Sequence, residues 1–254
     1  MIKKRLSTAV VIRDDYAVQS FGFKRYLPIG KPENVIENLS WWGSDEILIF
    51  DIKSKNSQTL DPNFSMISKI CERKLSTPIT YSGRIRDAKS AIQIINLGVE
   101  RIGLGNILFE NQNEIKKISE VVGSQAIILI LNFFYKKNQL YLKDIKHNKE
   151  VLYSDFENNL KSLNNFYSEI LLVDIFNEGS NGNFNLKILD NINLQKKMIL
   201  YGGMLNIGKI NKCFKFNNVA SIAVGNQLNF KEHAYQSLKK KLNSNFLRPY
   251  FYNY

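Results

Sequence analysis

The stretch RLSTAVVIRDDY, residues 5–16, puts a basic residue, a run suited to a β-strand and two acids in one line. Carboxylates just past a strand suit general acid–base chemistry, which needs a titratable group within hydrogen-bond reach of the reacting atoms. Strand side chains alternate between faces, so Arg5, Ser7, Ala9 and Val11 share one face and Val10 and Ile12 the other. On the odd face the strand ends at Val11, and Asp14 and Asp15 fall beyond it in a connection. Parity leans toward a strand that has lost its chemistry and leaves the role of the two aspartates open. The two histidines offer little more. His147 lies in the polar run KDIKHNKE, read as a hairpin or loop, and His233 in the helical period NFKEHAYQSLKKKL. Both read as surface histidines rather than members of a Ser-His-Asp or zinc site. Cys71 and Cys213 are too few for a disulfide framework and have no metal-ligand spacing around them, so neither a metal nor a cofactor is expected.

The 254 residues carry 44% hydrophobic and 23% charged side chains, a composition that supports a full globular core. The sequence has no apolar run near the roughly 20 residues a bilayer span needs, and the basic N-terminus lacks a signal-peptide core. A cytoplasmic protein without a membrane partner is expected. A formal charge of +12 raises nucleic acid as a partner, but the basic residues are scattered and only KKKL, residues 239–242, forms a dense run. A Lys- and Asn-rich surface is the favoured reading. The charge would also suit an acidic partner surface or a phosphorylated ligand.

These residues must be positioned by something, and the chain alternates short β-rich runs with longer amphipathic ones. Strands are predicted at 7–12, 46–52, 78–82, 101–105, 126–132, 169–175, 198–202 and 220–225, with few interior charges, as in a parallel sheet covered on both faces. Helical periods separate them, and Gly43, Gly98 and Gly123 fall where helices should end in a left-handed residue. Eight strand–helix alternations in this length predict a closed (β/α)8 barrel, taken as a single domain over residues 1–254. A doubly wound open sheet is the runner-up, but IRDDYAVQS stands where its glycine-rich fingerprint belongs. Two longer connections lie over the C-terminal, active face: residues 13–31 read as a hairpin or a flexible flap, and residues 133–153 as a β-hairpin. Of Trp41 and Trp42, which end the first helix, one is expected in the core and the other at the rim. The aromatic tail FLRPYFYNY is expected to pack on the barrel exterior or a partner.

Nearly end to end, the sequence resembles the cyclase barrel subunit of imidazole glycerol phosphate synthase. The likeness is carried by DEILIFDI (45–52), YSGRIRDAKSAIQIINLGVERIGLGN (81–106), VGSQAIILILN (122–132), SEILLVDIFNEGSNGNFN (168–185) and ILYGGM (199–204). The first connection, ending FKRYLPIGKP, looks like a divergent branch that accompanies bacterial surface-polysaccharide gene sets, with a glutaminase and a sugar amidotransferase. The resemblance implies a heterodimer with a glutaminase, ammonia entry at the N-terminal end, and cleavage and ring closure of a bis-phosphorylated intermediate at the C-terminal end. It also implies two aspartates, after strands 1 and 5, as general acid and base. Those positions hold Val11 and Asn132, which cannot shuttle protons, and each loss should cost roughly 10²- to 10⁴-fold in such a step. Gln19 replaces a mobile-loop lysine, and Glu178 replaces a third aspartate as a possible residual acid or base.

The implied phosphate-binding turns are mixed. Gly179 with Ser180 and Gly202 with Gly203 are retained, while the other turns read Gly83 and Arg84, Gly105 and Asn106, and Gly225 and Asn226. Arg84 either pairs with a phosphate or plugs the site. At the N-terminal end the resemblance implies an ammonia gate of alternating charge, kept in sign by Arg5, Glu46, Arg101 and Glu169, with Thr80 lining the channel and Glu100 contacting the glutaminase. The ring reads as a retained conduit or as a tie holding the barrel floor. The expected function is therefore a barrel that docks a glutaminase and passes ammonia on for amidation of a surface-polysaccharide sugar, with cyclisation lost. The alternatives are a working cyclase of histidine biosynthesis with relocated acid–base groups, such as Glu178 with Asp14, and a basic binding module without catalysis.

Overall fold

The computed structural model describes residues 3–52, 60–180, 182–204, 206–242 and 245–249. Its strands are β1 (Arg5–Arg13), β2 (Tyr16–Phe21), β3 (Arg25–Gly30), β4 (Ile47–Asp51), β5 (Ile79–Ser82), β6 (Arg101–Leu104), β7 (Ile127–Lys136), β8 (Gln139–Asp144), β9 (Lys149–Leu152), β10 (Glu169–Asp174), β11 (Lys197–Tyr201) and β12 (Val219–Val224). The helices are α1 (Pro32–Trp41), α2 (Phe64–Cys71), α3 (Ala88–Asn96), α4 (Ile107–Glu110), α5 (Gln112–Val122), α6 (Tyr153–Ser162), α7 (Ile188–Asn191), α8 (Ile207–Phe214) and α9 (Ala234–Lys241).

Eight of the strands pair in parallel in the order β1, β4, β5, β6, β7, β10, β11, β12, and β12 returns to β1. The sheet is a closed (β/α)8 barrel, as the alternation predicts. Its strands are runs of Val, Ile and Leu buried on both faces, and their parity sorts two cores. Leu6, Val10, Ile12, Ile47, Ile49, Leu129, Leu131, Ile170 and Leu172 face the helices. Ala9, Val11, Leu48, Phe50, Ile128, Ile130, Leu171, Val173, Ile199, Tyr201 and Ala223 fill the barrel. Burying one such large side chain contributes roughly 1.5–3 kcal/mol, so a one-residue slip that exchanged the two sets would be heavily disfavoured.

Local chemistry starts and stops the helices. Asn63, Asp87, Asn111 and Asn206 each accept a backbone N–H of the first turn of α2, α3, α5 and α8, and Pro32 opens α1. Gly43, Gly98 and Gly123 have positive φ at the ends of α1, α3 and α5, as expected. Trp42 packs against the helix-side core, whereas Trp41 is exposed. Both long connections are β-structured at the C-terminal end of the barrel. β2 and β3 continue from β1 as an antiparallel meander, and β8 and β9 do the same from β7. No described helix is long and apolar enough to cross a membrane. Of the aromatic tail, Phe246 and Leu247 pack on the barrel, and residues 250–254 lie outside the described residues.

Candidate functional site

Strand geometry brings four charged side chains to one end of the barrel. Arg5, Arg101 and Glu169 are the first residues of β1, β6 and β10, and Glu46 directly precedes β4. They close a circuit. Arg5 donates to Glu169 at 2.5 Å and its Nε stands 3.2 Å from Glu46, while Arg101 donates to Glu169 at 2.6 Å and to the other oxygen of Glu46. A layer of hydroxyls lies just inside. Thr80 donates to Glu46 at 2.9 Å, Ser7 donates to it at 3.0 Å, and Ser7 and Ser221 share a hydrogen bond of 2.6 Å. Burial opposes the charge on Glu46, but the guanidinium groups of Arg101 and Arg5 outweigh it and hold the carboxyl below its usual range. Burial likewise opposes the charge on Arg101, and Glu46 and Glu169 outweigh it. Glu100 lies outside the circuit, exposed, and accepts the backbone N–H of Ile79 at 2.7 Å.

At the opposite end the barrel interior is filled by an apolar cluster. Val11 is 3% exposed and sits directly across from Val18 of β2, and Asn132 shares the inward parity of Ile128, Ile130 and Phe134 on β7. Phe50 stacks on Tyr201 with centroids 5.0 Å apart, and Phe23 meets Phe50 edge-on at 6.3 Å. Phe134 packs against Tyr141 and Phe176, at 5.6 and 5.0 Å. Val18, Phe23 and Tyr26 from the first hairpin and Tyr141 from the second thus extend the barrel-interior cluster over its mouth. Asp14 and Asp15 are the turn joining β1 to β2. Both have positive φ, Asp14 pairs with Arg13, and Asp15 accepts from Asn63 at 2.6 Å. Gln19 lies in β2 opposite Leu27.

Glu178, on the turn after β10, is 3% exposed and its carboxylate is fully engaged with protein groups. One oxygen accepts from the Ser20 hydroxyl at 2.9 Å and the Phe23 N–H at 3.1 Å, and the other accepts from Tyr201 at 3.0 Å. Burial raises its pKa against the opposing pull of these donors. Gly179 lies so close to the hairpin that a Cβ there would stand 2.3 Å from the Ser20 carbonyl oxygen. Asn226 donates to that carbonyl at 2.6 Å and accepts the Ser20 N–H at 3.2 Å. Gly202 and Gly203, both at positive φ, press on the backbone of Asp174 and Asn177, with Ser180 beside Gly203. Gly225 is in ordinary contact with Tyr201, Gly105 lies over Ile130, and Asn106 is exposed before α4.

Arg84 forms an ion pair with Asp51, which also accepts from Tyr81 at 2.6 Å, and a Cβ on Gly83 would collide with Asp51 at 2.7 Å. This cluster borders a cleft of about 820 Å³ beside the mouth, walled by Asp14, Asp61, Asn63, Lys69 and Lys31. Asp51 and its counterpart Asp174, which accepts from Asn177 and the Asn185 N–H at 2.9 Å each, were missed as organising residues. Their signal was the repeated Asp-Ile ending β4 and β10, with a parity that turns both carboxyls toward the helix layer. His147 is half-exposed in the β8–β9 turn, bonded to Asp144 at 2.7 Å, and His233 precedes α9 at positive φ.

Comparison with known proteins agrees with this layout. Residues 5–234 match the sequence model of a family described as Histidine biosynthesis protein. A putative imidazole glycerol phosphate synthase subunit hisF2 of Vibrio vulnificus strain YJ016 is 24% identical over 245 residues, 95% of this chain and 89% of that protein. A second from the same strain, hisF3, is 25% identical over 91% of this chain and 90% of its own length. The imidazole glycerol phosphate synthase subunit HisF of Staphylococcus aureus strain Newman is 24% identical over 94% of this chain and 96% of its own.

Proposed function

The chain belongs to the histidine biosynthesis protein family as a HisF-like barrel, and from that premise we propose a barrel subunit that no longer closes a ring. It docks a glutaminase on its N-terminal face, through the surroundings of Glu100. Ammonia enters through the gate of Arg5, Glu46, Arg101 and Glu169, past Thr80. The acceptor is a sugar precursor of surface polysaccharide, amidated by a separate amidotransferase at the other face. One observation supports this reading: the ionic circuit is complete, while Val11 and Asn132, where the resemblance leads one to expect proton-transfer aspartates, face the apolar cluster at the other end of the barrel. Phosphate binding by the turns has less support, since Arg84 is paired with Asp51 and Gly179 and Asn226 are engaged by the hairpin.

The test is to mix the purified chain with the glutaminase encoded beside it. A stable heterodimer with increased glutamine hydrolysis is the expected result. No complex together with unchanged hydrolysis would overturn the proposal. The likeness to HisF over nearly the full length favours a second reading, a working cyclase. Growth of a histidine auxotroph lacking its cyclase, rescued by this chain, would establish that reading. The expected result is no growth with soluble protein present.

A further inference from the structure

We propose that one basic sector of the N-terminal face docks an acidic flank of the glutaminase, with Phe216 as its apolar anchor and Lys212 and Lys215 as the charges that select that partner. The inference rests on the glutaminase reading and adds to it the chemistry of the partner's surface. Residues 191–254 hold nine lysines and one arginine against the single acid Glu232, which is nine of the twelve net positive charges. Spread along the chain, several of these lysines are gathered by the fold at one end. Lys197 opens β11, Lys212 lies in the last turn of α8 and Lys215 follows it, all exposed and all at the end of the barrel that carries the ionic ring. Lys3, also exposed, lies just before β1, the neighbour of β12. A lysine at a helix C-terminus offsets the helix dipole, which accounts for Lys212. It does not account for Lys3 and Lys197, which stand at the starts of strands. Residues 191–230 contain no carboxylate, and among the described residues none forms an ion pair with Lys197, Lys212 or Lys215. Like charges so placed repel one another, and an acidic partner surface relieves that repulsion.

The turn between α8 and β12 is held from below. The buried Lys4 ammonium donates to the carbonyls of Phe214 and Phe216, both at 2.6 Å, and Lys197 donates to that of Asn217 at 2.8 Å. Burial, and then the charge of Lys197, lower the Lys4 pKa, as crowding of lysines requires. On this pinned turn the Phe216 side chain is left 36% exposed. A fixed, exposed aromatic flanked by charges has the composition of an interface anchor with its polar rim. Nucleic acid fits the sector less well. The charges flanking Phe216 are lysines without the planar fork of arginine, and one aromatic offers no track for successive bases.

The test is the kinetics of complex formation between the purified full chain and the glutaminase encoded beside it. The wild-type association rate should fall roughly tenfold as salt rises from about 50 mM to about 300 mM. Lys212→Glu combined with Lys215→Glu should associate roughly tenfold more slowly at the lower salt and lose most of that salt dependence. Both lysines are exposed, so the pair of substitutions leaves the core intact. Lys89→Glu combined with Lys137→Glu, also exposed, makes the same change in net charge elsewhere and should behave as wild type. Phe216→Ala should leave association unchanged and speed dissociation roughly tenfold. Equal rates for the two charge-reversed variants, or unchanged dissociation of Phe216→Ala, would overturn the proposal and leave the glutaminase reading standing. Binding of a DNA duplex of about 20 base pairs that is lost in Lys212→Glu with Lys215→Glu would also overturn it, assigning the sector to nucleic acid. Failure of the wild-type chain to form any complex would overturn both readings together.

Discussion

At position 11 a carboxylate would enter a buried cluster with Ala9, Val18, Phe50 and Val173. Val11→Asp should therefore lower stability by roughly 3 kcal/mol or more, measured by urea unfolding, and should not confer ring closure. Glu46 behaves in the opposite way. Its folded-state pKa lies below the ordinary 4.5 because Arg101 and Arg5 overcome the cost of burial. Its contribution to stability is thus complete above that value and is lost as pH falls through the depressed one. Glu46→Gln should be less stable than wild type at pH 7, and its urea midpoint should fall less between about pH 5 and pH 3. An equal fall in both proteins would show that the ring does not hold Glu46 ionised.

Among the elements, β6 and β10 enter the barrel with opposite charges at their first residues, and the circuit joins the neighbours β1 and β4 through Arg5 and Glu46 but otherwise links strands that are not adjacent in the sheet. Arg101→Ala would leave Glu46 and Glu169 sharing only Arg5. A loss of about 3–5 kcal/mol is expected, because an uncompensated buried charge costs more than the pair contributes. Replacing Arg101 and Glu46 together by Met and Leu should recover much of that loss, read as the coupling term of a double-mutant cycle. If the double variant were only as stable as the single one, the ring would be giving the fold something that apolar packing cannot. The hairpins show a second elemental lesson. Their strand pattern was legible from alternation, while their seat on the barrel was not, since Ser20 and Glu178 are 158 residues apart.

For the whole molecule the question is how the two ends of the chain are held on the closed barrel. Lys239 on α9 donates to Asp45 at 2.7 Å, with side chains 2% and 7% exposed, and Asp45 also takes the Leu6 N–H at 2.8 Å. Tyr235 of the same helix donates to the Leu6 carbonyl at 2.7 Å. The first lysine of the dense basic run is thus a structural fastener rather than part of a binding surface. Lys239→Ala should cost roughly 3 kcal/mol by leaving Asp45 buried and unpaired, whereas Lys241→Ala should stay within about 0.5 kcal/mol. Equal effects of the two substitutions in thermal or urea unfolding would refute the fastener.

The sequence by itself determined the barrel and its eight strands and divided the side chains of β1 between two faces, because hydrophobic periodicity is a local property of the chain. It also grouped Val11 with Arg5, Ser7 and Ala9 on one face and put Asp14 and Asp15 past the end of the strand, and resemblance supplied the members of the ring, while the structure turned that face inward. What the tertiary structure alone decided is who meets whom: that Arg84 is paired with Asp51, that Glu178 and Asn226 grip the hairpin, and that Lys239 is buried on Asp45. Each of these contacts joins residues from separate turns of the barrel. Their energies depend on distance and exclusion of water, which periodicity along the chain does not encode.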